Sequence, residues 1–267
     1  TGPGHVLTMK QPFVLTAFVS AAILVSACSE EPIIEPVGPL PPPLNGTAFI
    51  DPDVLTVQGP NALTGLTPLG VGSRVMYDGR IEAEATYDTW LFEASFIPSL
   101  LLEIRVNAEF DSISAVDLAD LYAERFGVLP QVLREGVETL SVHGGLESIV
   151  GLNRDLVVHA DQGEAHRIQG FLEEVMAHET VHISLDAEHS SSPSWKAAQA
   201  SDLRFISSVA DVSPDTEDLA ESFGAWLAVR WAGDGITDFL RAIIETAIPA
   251  RLQYLDAQNF EMYPVVD

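Results

Sequence analysis

The run His178-Glu179-Thr180-Val181-His182 carries the most information in this chain. Residues four apart on a helix lie one turn above the other on the same face. His178 and His182 therefore offer two imidazole nitrogens to a single divalent ion, with Glu179 rotated toward the open side where a general base is needed. The flanks, Val175-Met176-Ala177 and Ile183-Ser184-Leu185, are uncharged, whereas a chance match on a solvated helix would interleave Lys, Arg or Glu. Phe171, Val175, His178, His182 and Leu185 follow a helical three-four spacing, so the histidines share a stripe with core residues. Glu173 and Glu174, near the start of this helix, suit the macrodipole and read as structural.

A second helix supplies carboxylates. Ser213-Pro214-Asp215 is a start signal and Gly233 a stop signal. Leu219, Phe223, Trp226, Leu227 and Trp231 form its apolar face, beside a face of small and acidic residues, Glu217, Ala220, Glu221 and Gly224. Two glutamates one turn apart next to small residues predict close packing on another helix. Glu217 is the candidate third ligand. Glu221 is the candidate acceptor for the free ring N–H of a ligand histidine.

His178-Glu179-x-x-His182 followed by Glu217-x-x-x-Glu221 resembles the gluzincin zinc metallopeptidases. The stretch Glu217-Asp218-Leu219-Ala220-Glu221-Ser222-Phe223 is similar to the E-x-x-A-E-x-F form of the anthrax lethal factor-like group. The resemblance covers about residues 171–232. It implies zinc held by His178, His182 and Glu217, with Glu221 orienting a histidine and Glu179 as base. Lethal factor-like sites also carry a tyrosine about two turns before the ligand glutamate. Here Ser207-Ser208-Val209-Ala210-Asp211 has none, so the resemblance supplies no transition-state donor. Tyr254, Tyr263, His159 and His143 remain open for that role. Tyr254 stands near Arg251, and core packing with a satisfied hydroxyl is the plainer reading of it. A metzincin pattern, HExxHxxGxxH, does not fit: Leu185 stands at its glycine, Glu188 at its third histidine, and His189 falls one residue late.

With three protein ligands, one position stays open for water, whose proton Glu179 takes and later gives to the leaving amine. Leu156-Val157-Val158-His159-Ala160 reads as a short strand a few residues before the helix of His178 and His182; the resemblance to zincin-like folds implies an edge strand there that holds an extended peptide.

Met9-Lys10 begins a basic segment, and Phe13 to Val25 is apolar and of signal-peptide length. Val25-Ser26-Ala27-Cys28 resembles the bacterial lipobox, which implies lipidation of Cys28, the only cysteine. Ser29 after it fits outer-membrane sorting by the same resemblance. Residues 1–8 precede the plausible initiator and stand outside the fold, 9–27 read as the signal peptide, and the proline-rich stretch 28–44 as an extended tether. The net charge of −26, from 13 basic and 39 acidic residues, repels nucleic acid and anionic lipid headgroups. Membrane contact is therefore expected only through the lipid.

The remaining residues predict an α+β, zincin-like fold, a small mixed sheet followed by a helical lobe. Residues 45–135 form the β-rich part and 136–267 the catalytic region. Trp90–Phe96 and Leu101–Val106 are the clearest strands, and Leu140–Val142 a shorter one. Helices are expected over Val116–Phe126, Pro130–Arg134, Ile168–Asp186, Pro193–Ile206, Pro214–Ala232 and Asp238–Ala247, the last before Pro249. The leading functional expectation is a zinc-dependent peptide-bond hydrolase. The alternatives are an inactive zincin-like or structural envelope lipoprotein that binds a partner.

Overall fold

The computed structural model describes residues 40–48, 54–232 and 235–266. The signal-like segment, Cys28 and the tether up to residue 39 lie outside the described residues, as does Gly233.

The protein is α+β, and its sheet has six strands: β1 (Leu63–Asp78), β2 (Ala83–Phe96), β3 (Leu100–Asn107), β4 (Thr139–His143), β5 (Val150–Leu152) and β6 (Asp155–His159). Their order is β1-β2-β3-β4-β6-β5. β1, β2 and β3 are antiparallel neighbours, β3, β4 and β6 are parallel, and β5 returns antiparallel to β6. One sheet thus spans both sides of residue 135. The parallel step from β3 to β4 needs a crossover, which α1 (Ser112–Gly127) and α2 (Gln131–Arg134) provide. Alternation puts Leu102, Ile104, Val106, Leu140, Val142, Leu156 and Val158 on one face, all fully buried under the helices in one continuous core.

The helices that follow are α3 (Ala160–Gln169), α4 (Leu172–Ser184), α5 (Asp186–His189), α6 (Pro193–Ser201), α7 (Ser208–Val212), α8 (Asp218–Trp231), α9 (Asp238–Ala247) and α10 (Pro249–Asp256). α4 is central: it packs on β5, β6, α1, α2, α3 and α8. Among the described residues no helix is long and apolar enough to cross a membrane.

Several expected boundaries move, each for an identifiable reason. The helix expected over Ile168–Asp186 is broken at Gly170, whose φ of 83° closes α3 with a left-handed cap, so the helix carrying His178 and His182 begins at Leu172. The helix expected over Pro193–Ile206 stops at Ser201, because Asp202 turns extended and gives its carboxylate to the start of α10. The glutamate helix starts at Asp218 rather than Pro214. The N–H groups of Thr216 and Glu217 both fold back on the Ser213 carbonyl, and Asp215 pairs with Lys196 instead of capping. A further helix, α10, follows Pro249, where proline occupies the first turn. The Leu156–His159 strand is β6 and lies inside the sheet; the edge beside α4 is β5.

The chain before β1 is docked. The N–H groups of Leu40 and Leu44 reach the carbonyls of Leu203 and Ile206, and Ser208 N–H returns to the Leu44 carbonyl. Residues 40–44, expected in the tether, therefore lie along 203–208, and with 45–48 after them they form a strap.

Candidate metal centre

α4 projects His178 and His182 from one face toward the start of α8. The two Nε2 atoms stand 3.2 Å apart. Glu217 Oε2 lies 3.3 Å from His178 Nε2 and 3.6 Å from His182 Nε2. His178, His182 and Glu217 are the one such group of three or more His, Cys, Asp or Glu among the described residues. The three side chains are partly buried, with Glu217 27% exposed, so the group is reachable from solvent on one side.

This donor set fits a tetrahedral zinc. Ligand bonds of about 2.0–2.2 Å at tetrahedral angles put neighbouring ligand atoms roughly 3.3–3.5 Å apart, and the three separations lie around that value. A shared proton or a cation would satisfy this convergence. Two imidazole nitrogens and a carboxylate oxygen face each other, and without a proton or a metal between them their lone pairs repel.

His182 Nδ1 is 2.8 Å from Asp186 Oδ2. That contact fixes the ring and directs Nε2 to the cluster. Burial opposes charge on His182, but the carboxylates of Asp186 and Glu217 outweigh it and push its pKa up to about 10. The same contacts with His178 and His182 hold Glu217 well below the usual carboxylate range. Asp186 escaped the sequence reading, although its signal was present: it stands four residues beyond His182 on the same face.

Glu221 is fully buried on α8, and its Oε1 lies 3.8 Å from His178 Nδ1, beyond hydrogen-bond length. Its Oε2 instead accepts the Ala48 N–H, from the strap. Burial pushes its carboxyl pKa up. Nothing in the sequence announces the Ala48 contact, because the two residues are far apart in the chain and the donor is backbone.

Glu179 points to the sheet edge, where its Oε2 accepts the Gly151 N–H at 2.9 Å. Desolvation raises its pKa, opposed by the nearby histidines. Gly151 is required there: a β-carbon would collide with the Glu179 carbonyl oxygen and meet Ile183. The two flanking glutamates have structural contacts. Glu174 accepts the Leu55 N–H, and Glu173 lies 3.7 Å from Arg125.

The four candidate transition-state donors have other company. Tyr254 places its hydroxyl 2.7 Å from His189 Nδ1 and its ring edge-on to Trp195. Tyr263 packs on the core, its carbonyl accepting the Gln131 N–H and the Arg134 guanidinium. His143 and His159 are fully buried at the ends of β4 and β6, facing away from Val142 and Val158 and so away from the helices. Their rings stack on each other, and Asp78 lies 3.8 Å from one and 3.7 Å from the other.

Comparison with protein-family models, with curated proteins and with solved structures returns no match to this chain.

Proposed function

We propose that this chain is a zinc-dependent peptide-bond hydrolase of gluzincin type, in a zincin-like fold, held at the bacterial envelope by a lipid on Cys28. The observation that carries the reading is the meeting of His178 Nε2, His182 Nε2 and Glu217 Oε2 within 4.8 Å of one another. Four carboxylates, Glu179, Asp186, Glu217 and Glu221, surround the two imidazoles and favour a divalent cation. Zinc bound there would lower the pKa of a water to about 7 and polarise a carbonyl.

The chain's own groups do the rest. Asp186 holds the His182 tautomer. Glu179 removes a proton from the attacking water and delivers it to the leaving amine. Its desolvation keeps the carboxylate basic enough for that exchange, and the Gly151 N–H aims it. β5 is the edge strand whose backbone adjoins Glu179, so an extended peptide laid along it would present its carbonyl to the site. The acidic surface favours cationic peptides over nucleic acid.

The test is Glu179→Gln in the purified protein. Zinc content should remain, and turnover of a peptide library should fall by about 10²–10⁴-fold. Undiminished cleavage in that variant would remove Glu179 from the mechanism, and a wild-type protein without zinc would end the metal reading.

A further inference from the structure

Of the three ligands, Glu217 is the least supported by its own helix. It is the N-cap residue of α8, outside the helix proper, with no side-chain capping bond. Its backbone N–H reaches the Ser213 carbonyl at 2.8 Å, a contact within a turn. The next residue is anchored far more firmly. Asp218 is fully buried, and its Oδ2 accepts Arg251 Nε at 2.8 Å and Gln199 Nε2 at 3.0 Å.

Arg251, on α10, is also fully buried. Its Nη1 donates to Asp202 Oδ2 at 2.9 Å and to the Arg204 carbonyl at 3.2 Å. Its guanidinium carbon lies 4.8 Å from the centre of the Phe205 ring. Asp202 in turn accepts the N–H groups of Ala250 and Arg251. One guanidinium thus ties together α10, the 202–206 segment and the first residue of α8, and Gln199 adds α6.

Stability is a poor reason for such a group. Two buried carboxylates share one buried cation, and Arg251 Nη2 and Asp218 Oδ1 have no partner among the described residues. Buried ion networks of this kind are often no better than apolar packing of the same volume. Their best use is to fix a position. Consecutive α-carbons are about 3.8 Å apart, so a shift of Asp218 is carried to Glu217 almost undiminished. A ligand set loosened by an ångström loses its geometry.

We infer that Arg251 is a positioning residue for the metal centre: acting through Asp218, it sets where α8 begins and so how Glu217 meets His178 and His182. This rests on the metal reading of the cluster.

The test is zinc affinity of the full chain, by competition with a chromophoric chelator, alongside melting of the metal-free protein. Asp218→Asn and Arg251→Lys should each weaken zinc by about tenfold, the lower end of the range for groups bonded directly to a ligand, since they act one residue removed. Lysine keeps the charge but not the fork that spans two carboxylates, and it covers the case in which Asp218→Asn does not fold. Asp202→Asn is the control. It weakens the α10 cap and lowers the melting temperature, but leaves Arg251 paired with Asp218, so zinc affinity should hold. Wild-type affinity in Arg251→Lys overturns the inference. So does zinc loss that merely follows the loss of melting temperature, Asp202→Asn included. A wild-type chain that takes up no zinc is a different result, and it removes the metal reading itself.

Discussion

Gly151 on the sheet edge donates its N–H to the carboxylate of Glu179 at 2.9 Å, while its α-carbon lies against the backbone of the same residue. Strand and helix touch there with no side chain between them. Gly151→Ala inserts a methyl against the Glu179 carbonyl and Ile183, neither of which is the loose end of a flexible chain. Overpacking of this kind costs about 1–3 kcal/mol. α4 must move off β5, and the base loses its donor. Expected are a lower melting temperature and a larger fall in turnover than in zinc affinity, since His178 and His182 remain on the same helix. An alanine variant with unchanged turnover would mean that the edge does not aim the base.

Asp186 stands behind His182, bonded to its Nδ1 and outside the cluster of His178, His182 and Glu217. Asp186→Ala frees the His182 ring to rotate and removes the acceptor that selects its tautomer. Zinc affinity should fall by about 10–100-fold, with Asp186→Asn in between because the amide oxygen still accepts. Chelator competition reads both. Equal affinities across the series would show that packing alone holds the ring.

Local chemistry was legible in the sequence; long-range company was not. The four-residue spacing puts His178 and His182 on one face of α4 because helix geometry converts spacing into a face, whereas Glu217, just outside α8, reaches them only through the packing of α8 on α4. The alternation in β2 and β3 gave those strands by the same logic. One boundary moved for a local reason, the left-handed cap at Gly170, and two through contacts across the fold: Asp202 turned toward α10, and Asp215 left its capping role for Lys196. His159 was read as near an edge, yet the short strand at Val150–Leu152 lies outside β6, and three residues carry too little periodicity to be recognised. The strap was invisible for a different reason. Its bonds to Leu203, Ile206 and Glu221 are made by backbone groups, which every sequence has.

That strap yields a prediction. Removing residues 1–48 deletes the Ala48 N–H and leaves the buried Glu221 carboxylate without its backbone donor. An unsatisfied buried acceptor costs about 1–3 kcal/mol, more when charged. The truncated protein should melt lower than the full chain, and Glu221→Gln should recover part of the difference, since a neutral amide is cheaper to bury. Identical melting of the two lengths would reduce the strap to a passive tether.

Without a bound cation, the groups around His182 favour its protonated form. His182 is pushed up to about 10, with burial opposing its charge and the bonds to Asp186 and Glu217 overcoming that opposition. An unfolded histidine titrates near 6.5, so the folded form binds its proton more tightly. The stability this gives the metal-free protein is fully present below about pH 6.5 and is lost as pH rises through about 10. Zinc needs the lone pair on His182 Nε2, so at pH 7 it must displace that proton. Its affinity should therefore climb with pH, approaching about tenfold per unit below pH 10 where no other group intervenes. Calorimetric titration with zinc, in buffers of different ionisation enthalpy, should count about one proton released per ion from His182 at pH 7. A count of zero would show that the imidazoles and Glu217 meet without a shared proton, and that the carboxylates around them do not bias His182 toward its charged form.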